Sequence, residues 1–205
     1  MLTVDAVKPA CRGGLMVVSL SDGSLVRLSP DAVVALGIVP GCEVTEALSE
    51  EMEATRVSEA VRRTAANIVS ACPVSTAELT RRLVRKGYPE GESAAAAEWL
   101  VSLGVLDDEA YAAALVEKYA RQGLSRRAAA AKLAEKGVPR DLAEEAMTAF
   151  PDQRDALVRL ILQKGLPADR EGQAKLTAAL ARRGFGYEEI RAALRIAGGE
   201  DPCDE

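Results

Sequence analysis

Hydrophobic and polar positions alternate near the amino terminus and recur at helical spacing through the rest of the chain. Leu15-Met16-Val17-Val18-Ser19-Leu20 and Ser24-Leu25-Val26-Arg27-Leu28 flank Asp22-Gly23, so residues 14–28 read as an antiparallel β-hairpin closed by a tight two-residue turn. Leu2 to Val7 supplies a third candidate strand. Ser29-Pro30-Asp31 reads as a helix start, with a hydroxyl cap, a proline in the first turn and a carboxylate at the positive end of the dipole; Gly37 ends that helix. Thr45 caps a further helix that is acidic at its start (Glu46, Glu50, Glu51). A module of about 55 residues has only a marginal core of its own.

From residue 58 onward the period is helical throughout. Val61, Ala65, Ile68 and Val69 form one stripe, and Ala96, Trp99, Leu100 and Leu103 form another. Ser75-Thr76-Ala77-Glu78 fits a capping box. The 31 alanines among residues 58–199 favour helix and let helices approach closely.

The helical part repeats itself. Leu83-Val84-Arg85-Lys86-Gly87-Tyr88, Leu133-Ala134-Glu135-Lys136-Gly137-Val138 and Leu180-Ala181-Arg182-Arg183-Gly184-Phe185 follow one template, with their glycines 50 and 47 residues apart. The base meets the negative potential at a helix end, the glycine supplies a left-handed cap, and the apolar residue folds back on the helix. Three helices fit around each copy: 58–71, 75–86 and 90–103; 107–121, 125–136 and 139–149; 152–164, 172–183 and 187–197. The expected fold is mainly α, with three tandem three-helix repeats in an elongated curved array behind a small α+β module. The expected divisions are 1–55, 56–104, 105–150 and 151–199, followed by an acidic tail at 200–205.

Charge and composition narrow the function. The net charge is −5 over 205 residues, but 1–57 carry four basic and eight acidic residues while 58–199 carry 22 and 19. This is too small a basic excess to mark a nucleic-acid-binding domain by charge alone. Histidine is absent, which removes histidine triads and histidine metal sites and leaves any serine or cysteine nucleophile without its usual base. Cys11, Cys42, Cys72 and Cys203 are scattered, with no C-x-x-C pair. No P-loop or G-x-G-x-x-G occurs, and seven aromatics provide no platform for stacking successive bases. Met1 to Asp5 lacks a signal-peptide pattern and no run approaches about 18 apolar residues, so a soluble, cytoplasmic monomer without catalytic, cofactor or metal residues is expected. Asp107-Asp108-Glu109 reads as the start of a helix, not as a metal cluster.

Residues 56–197 resemble the RecX family of regulators of the RecA recombinase. The resemblance rests on Ser75-Thr76-Ala77-Glu78-Leu79 with Lys86-Gly87-Tyr88, then Leu103-Gly104-Val105-Leu106-Asp107-Asp108-Glu109-Ala110-Tyr111-Ala112. Gly123-Leu124-Ser125-Arg126-Arg127 with Lys136-Gly137-Val138, and Leu180 with Arg182-Arg183-Gly184-Phe185 and Ile190, complete it. The first 55 residues are similar to an extension found in some members. The resemblance implies a helical-repeat protein without catalysis. It also implies a partner, the RecA filament on single-stranded DNA, whose growth, ATP hydrolysis and strand exchange are limited from within the filament groove. The single-stranded DNA inside the filament is a second expected contact.

Lys86, Lys136 and Arg183 are explained by helix ends, whereas Arg81 and Arg82 lie mid-helix and Arg126 and Arg127 fall in a first turn, where positive charge is disfavoured. Against the default of a solvated face, Arg81, Arg82, Arg126, Arg127 and Lys132 are the candidate partner-facing residues. Two other readings stay open: a helix-turn-helix DNA-binding protein and a general helical-repeat scaffold. Glu90, Glu92 and Glu98 without any base in 90–103 argue against a recognition helix there.

Overall fold

The computed structural model describes residues 1–11, 13–167 and 169–199; Cys203 and the acidic run 200–205 lie outside the described residues. Among the described residues there are ten α-helices and one three-stranded sheet. The chain divides into two compact units, Met1–Pro73 with Leu79–Leu106, and Val74–Glu78 with the chain from Asp107 onward.

In the first unit, β1 (Val4–Pro9), β2 (Met16–Leu20) and β3 (Leu25–Leu28) form an antiparallel sheet in that order. Val18 pairs with Val7 on one side and Val26 on the other. One sheet face, with Val4, Val18, Leu20 and Leu28, closes over Ile38, Val44 and Met52. The hairpin turn differs from the expected two-residue form. The Leu20 amide donates to Ser24 at 2.9 Å, leaving three residues in the loop, and only Gly23 has positive φ (+85°). A turn followed by one left-handed residue is the three-residue solution, and Asp22 closes it by accepting from the Ser24 amide at 2.9 Å.

Helix α1 (Pro30–Ala35) is capped by Ser29, whose hydroxyl accepts from the Ala32 amide. Helix α2 (Glu46–Ala71) is a single helix of 26 residues, capped by Thr45. This corrects the reading of one helix beginning at Thr45 and another over 58–71; the expected border at 55/56 falls inside it. No glycine or proline lies between Thr45 and Pro73, so nothing interrupts the hydrogen-bond ladder. Met52 anchors its first half in the sheet core, while Val61 and Ala65 are buried in its second half, which packs on α4 (Glu90–Ser102). The Ser29 amide donates to Glu59 of α2 at 2.9 Å, and Arg62 stacks over the Trp99 ring at 5.4 Å. Between α2 and α4, helix α3 (Thr76–Arg85) buries Leu79 and Leu83.

The second unit contains two helix triplets, each with its own core. Helices α5 (Asp108–Arg121), α6 (Arg126–Glu135) and α7 (Arg140–Ala146) enclose Leu115, Val116, Tyr119, Leu133 and Val138. A 3-10 turn, Met147–Ala149, continues α7, so the expected helix 139–149 tightens in its last turn. Helices α8 (Gln153–Lys164), α9 (Arg170–Ala181) and α10 (Tyr187–Ala197) enclose Leu157, Ile161, Leu180, Phe185 and Ile190. Helix α9 begins two residues before the expected 172, because the Asp169 carboxylate caps it by accepting from the Gly172 amide.

The three glycine corners share one local geometry. Gly87, Gly137 and Gly184 donate to the residue three before them, while Tyr88, Val138 and Phe185 donate to the residue five before them, Leu83, Leu133 and Leu180. All three leucines are fully buried. This is the double helix-end bond that a left-handed glycine permits.

Candidate partner-binding surface

The surface of the second unit is organised by two serines that cap helices and also bond away from them. Ser75 is fully buried; its hydroxyl accepts from the Glu78 amide at 3.1 Å and donates to the Lys136 carbonyl at 2.7 Å. Ser125 is equally buried; its hydroxyl accepts from the Ala128 amide at 3.1 Å while its own amide donates to the Arg183 carbonyl at 2.9 Å. The next residue repeats the pattern. The Thr76 amide donates to the Asp108 carboxylate at 2.9 Å, and the Arg126 amide donates to the Gln153 side-chain oxygen at 3.0 Å. Asp108 and Gln153 are the first residues of α5 and α8, so the two connections are equivalent. Each connection satisfies orphan amides at a helix start and a carbonyl at a helix end together.

The second connection positions Arg126 and Arg127. Both are exposed on the first turn of α6, and Arg127 reaches the Gly184 carbonyl at 3.4 Å. They border a groove of about 810 Å³ with a small and apolar floor of Ala130, Ala134 and Met147, and Arg140 stands on the facing helix. Arg140 pairs with Glu144 at 2.7 Å, which raises its pKa; the pair is exposed and adds little to stability. Gln153 joins this network through its side-chain amide, which donates to Glu189 at 2.7 Å.

The other candidate residues are placed differently. Lys132 is exposed on α6, but at about 100° per residue it lies roughly 120–140° around the helix from the two arginines. Arg81 is exposed on α3, and Arg82 is half-buried with Nη1 3.3 Å from the Cys72 sulfur. Both belong to the first unit. Arg140 was not among the candidates. Its signal was its place in the first turn of a helix, which is the same criterion that selected Arg126 and Arg127.

Asp107 accepts from the Ala110 amide and Asp108 from Thr76, so both carboxylates serve helix starts. Among the described residues no group of three cysteine, aspartate or glutamate side chains could hold a metal ion. No helix among them is long and apolar enough to cross a membrane.

Comparison with known proteins follows the helix triplets. Residues 107–147 match the family model of the RecX second three-helix domain, and residues 156–194 that of the third. The regulatory protein RecX of Thermobifida fusca is 31% identical over 144 residues, spanning 65% of this chain and 78% of that protein. The regulatory protein RecX of Halorhodospira halophila is 29% identical over 153 residues, spanning 73% and 95%. A crystal structure of regulatory protein RecX superposes with a TM-score of 0.70 at 18% identity, covering 94% of this chain and all of that one. RecX from Lactobacillus salivarius gives 0.56 at 20% identity over 69% and 97%; both likenesses concern the fold.

Proposed function

The chain belongs to the RecX family of regulatory proteins, and from that premise we propose that it binds the filament formed by the RecA recombinase on single-stranded DNA and limits its ATP hydrolysis and strand exchange. The observation that carries this reading is the 31% sequence identity to regulatory RecX proteins, joined by the family-model matches on the second and third helix triplets. In this reading the protein works in the cytoplasm, in DNA recombination and repair and in the SOS response, without catalysis of its own.

The arrangement of the second unit supports a binding role. Paired helix starts and corners hold Arg126 and Arg127 at the rim of an open groove, backed by rigid helices. Guanidinium groups held this way suit carboxylate or phosphate oxygens on a large partner. Of the five candidate residues, Arg126 and Arg127 form the proposed centre of contact.

The test is ATP hydrolysis by RecA on single-stranded DNA with increasing amounts of this protein. A falling rate, with direct association seen in sedimentation of the filament, supports the proposal. An unchanged rate with no co-sedimentation overturns it.

A further inference from the structure

The last two helices enclose a second groove, of about 770 Å³, between α9 and α10. Helix α9 turns Arg170, Ala174 and Thr177 toward it, at i, i+4 and i+7; α10 turns Tyr187, Arg191 and Arg195, at i, i+4 and i+8. Each set is one face of its helix, so the groove is lined by two matched stripes. Ala174 and Thr177 keep its floor low, and the arginines stand on both walls.

The electrostatics are one-sided. Arg170, Arg191 and Arg195 are exposed, and none bonds to another described side chain. No described carboxylate lines the groove. Among the nearby acids, Glu171 pairs with Lys175 at 2.6 Å and Glu189 with the Gly186 amide at 2.7 Å and with Gln153, while Glu188 is exposed beside Tyr187 and does not line the groove. Arg191 and Arg195 stand one turn apart on one wall and Arg170 on the other, so the complement is an anion extended enough to reach both walls. Tyr187, 68% exposed, heads the same stripe. An acidic peptide leaves that ring without a role, whereas an unstacked base uses its face.

We propose that the groove between α9 and α10 binds a short run of single-stranded nucleic acid, with Arg191, Arg195 and Arg170 on backbone phosphates and Tyr187 stacked on one base. The stripe from Tyr187 to Arg195 is about 12 Å long, so the contact covers only a few nucleotides. One aromatic supports one base, so the contact is short and indifferent to sequence. This site is separate from the Arg126 and Arg127 groove, and the proposal does not depend on the recombinase.

The test uses the full chain without RecA and fluorescein-labelled oligo-dT and oligo-U of 20 nucleotides, read by anisotropy. The expected result is binding that weakens with salt. Arg191→Ala/Arg195→Ala should lower affinity at least tenfold and flatten the log–log salt slope by about 1.4, two phosphates at roughly 0.7 each. Tyr187→Ala should lower it about fivefold or more, with Tyr187→Phe close to the parent. Circular dichroism melting confirms that each variant is folded. The proposal is overturned if the parent binds neither strand at low salt, or if folded variants bind as the parent does. Equal competition by poly-glutamate, or equal binding of a blunt duplex, overturns it too. None of these outcomes bears on the ATP hydrolysis assay above.

Discussion

The Ser75 hydroxyl donates to the carbonyl of Lys136, 61 residues away, at 2.7 Å. A helix-capping residue here also closes the exposed end of a distant helix corner, and Ser125 does the equivalent with its amide on Arg183. Ser75→Ala would remove the bonds to the Glu78 amide and to the Lys136 carbonyl at a fully buried position. The expected loss is about 2–3 kcal/mol, or roughly 5–10 °C in thermal midpoint. Ser93 is also buried, but its hydroxyl bonds only to Pro89 in its own first turn at 2.8 Å, so Ser93→Ala should cost about 1 kcal/mol. Urea titrations of the two variants compare these directly; equal losses would remove the long-range bond as the explanation.

Gly184 and Gly87 occupy the same corner position with nearly the same positive φ, +91° and +93°. A Cβ at Gly184 would stand 2.6 Å from both the Ser125 hydroxyl and the Ala128 methyl, whereas at Gly87 it meets open space. Gly87→Ala should therefore cost only backbone strain, about 1 kcal/mol, and Gly184→Ala about 3 kcal/mol. Denaturant midpoints separate the packing cost from the strain cost.

Ala54 is exposed in the interior of α2, so a proline there loses no buried side chain. It does remove one rung of the helix and crowds the turn before it. Ala54→Pro should destabilise the first unit by about 3 kcal/mol or more. A boundary or loop at residues 54–56 would tolerate the change, and thermal melting distinguishes the two.

Burial, with Glu135 nearby, raises the pKa of the Tyr119 phenol above that of an ordinary tyrosine. A raised acid pKa means that folding favours the neutral form. Its stabilising share is therefore complete below the unfolded pKa of about 10 and falls as pH rises through the folded value. In an alkaline titration followed by phenolate absorbance, Tyr119 should ionise above the normal range. Tyr119→Phe should remove that late step.

Charge reversal at Arg126 and Arg127 tests the proposed contact. Arg126→Glu/Arg127→Glu should require at least tenfold more protein for equal suppression of RecA ATP hydrolysis, at unchanged helicity. Lys132→Glu, on another side of α6, should leave suppression near the parent level. If the two variants behave alike, the Arg126 and Arg127 groove is not the contact.

Much of the fold was legible because its signals are local. A buried leucine, a base, a glycine and an apolar residue specify each corner within six positions, and Ser29, Thr45, Ser125 and Asp107 cap their helices as their types suggest. The division of α2 was misread because the acidic-to-basic change near residue 57 suggests a boundary, although charge does not break a helix. The early start of α9 was hidden because Gly172 resembles an interruption, while the cap lies three residues upstream. The serine connections had no visible pattern, since their partners lie 61 and 58 residues away. Arg126 and Arg127 were legible as charges in an unfavourable turn, but the groove beside them needs Ala130, Ala134 and Met147 to be brought together by folding.

The uninterrupted length of α2 has a mechanical consequence. At about 1.5 Å per residue its 26 residues make a rod of roughly 39 Å. One end is embedded under the strands through Met52, and the other is clasped to α4 around Val61 and Ala65. The amino-terminal sheet is thus no pendant on a string. A pull or twist on its strands travels along a stiff shaft into the first helix triplet, and removing the sheet would strip the shaft of its anchor at Met52.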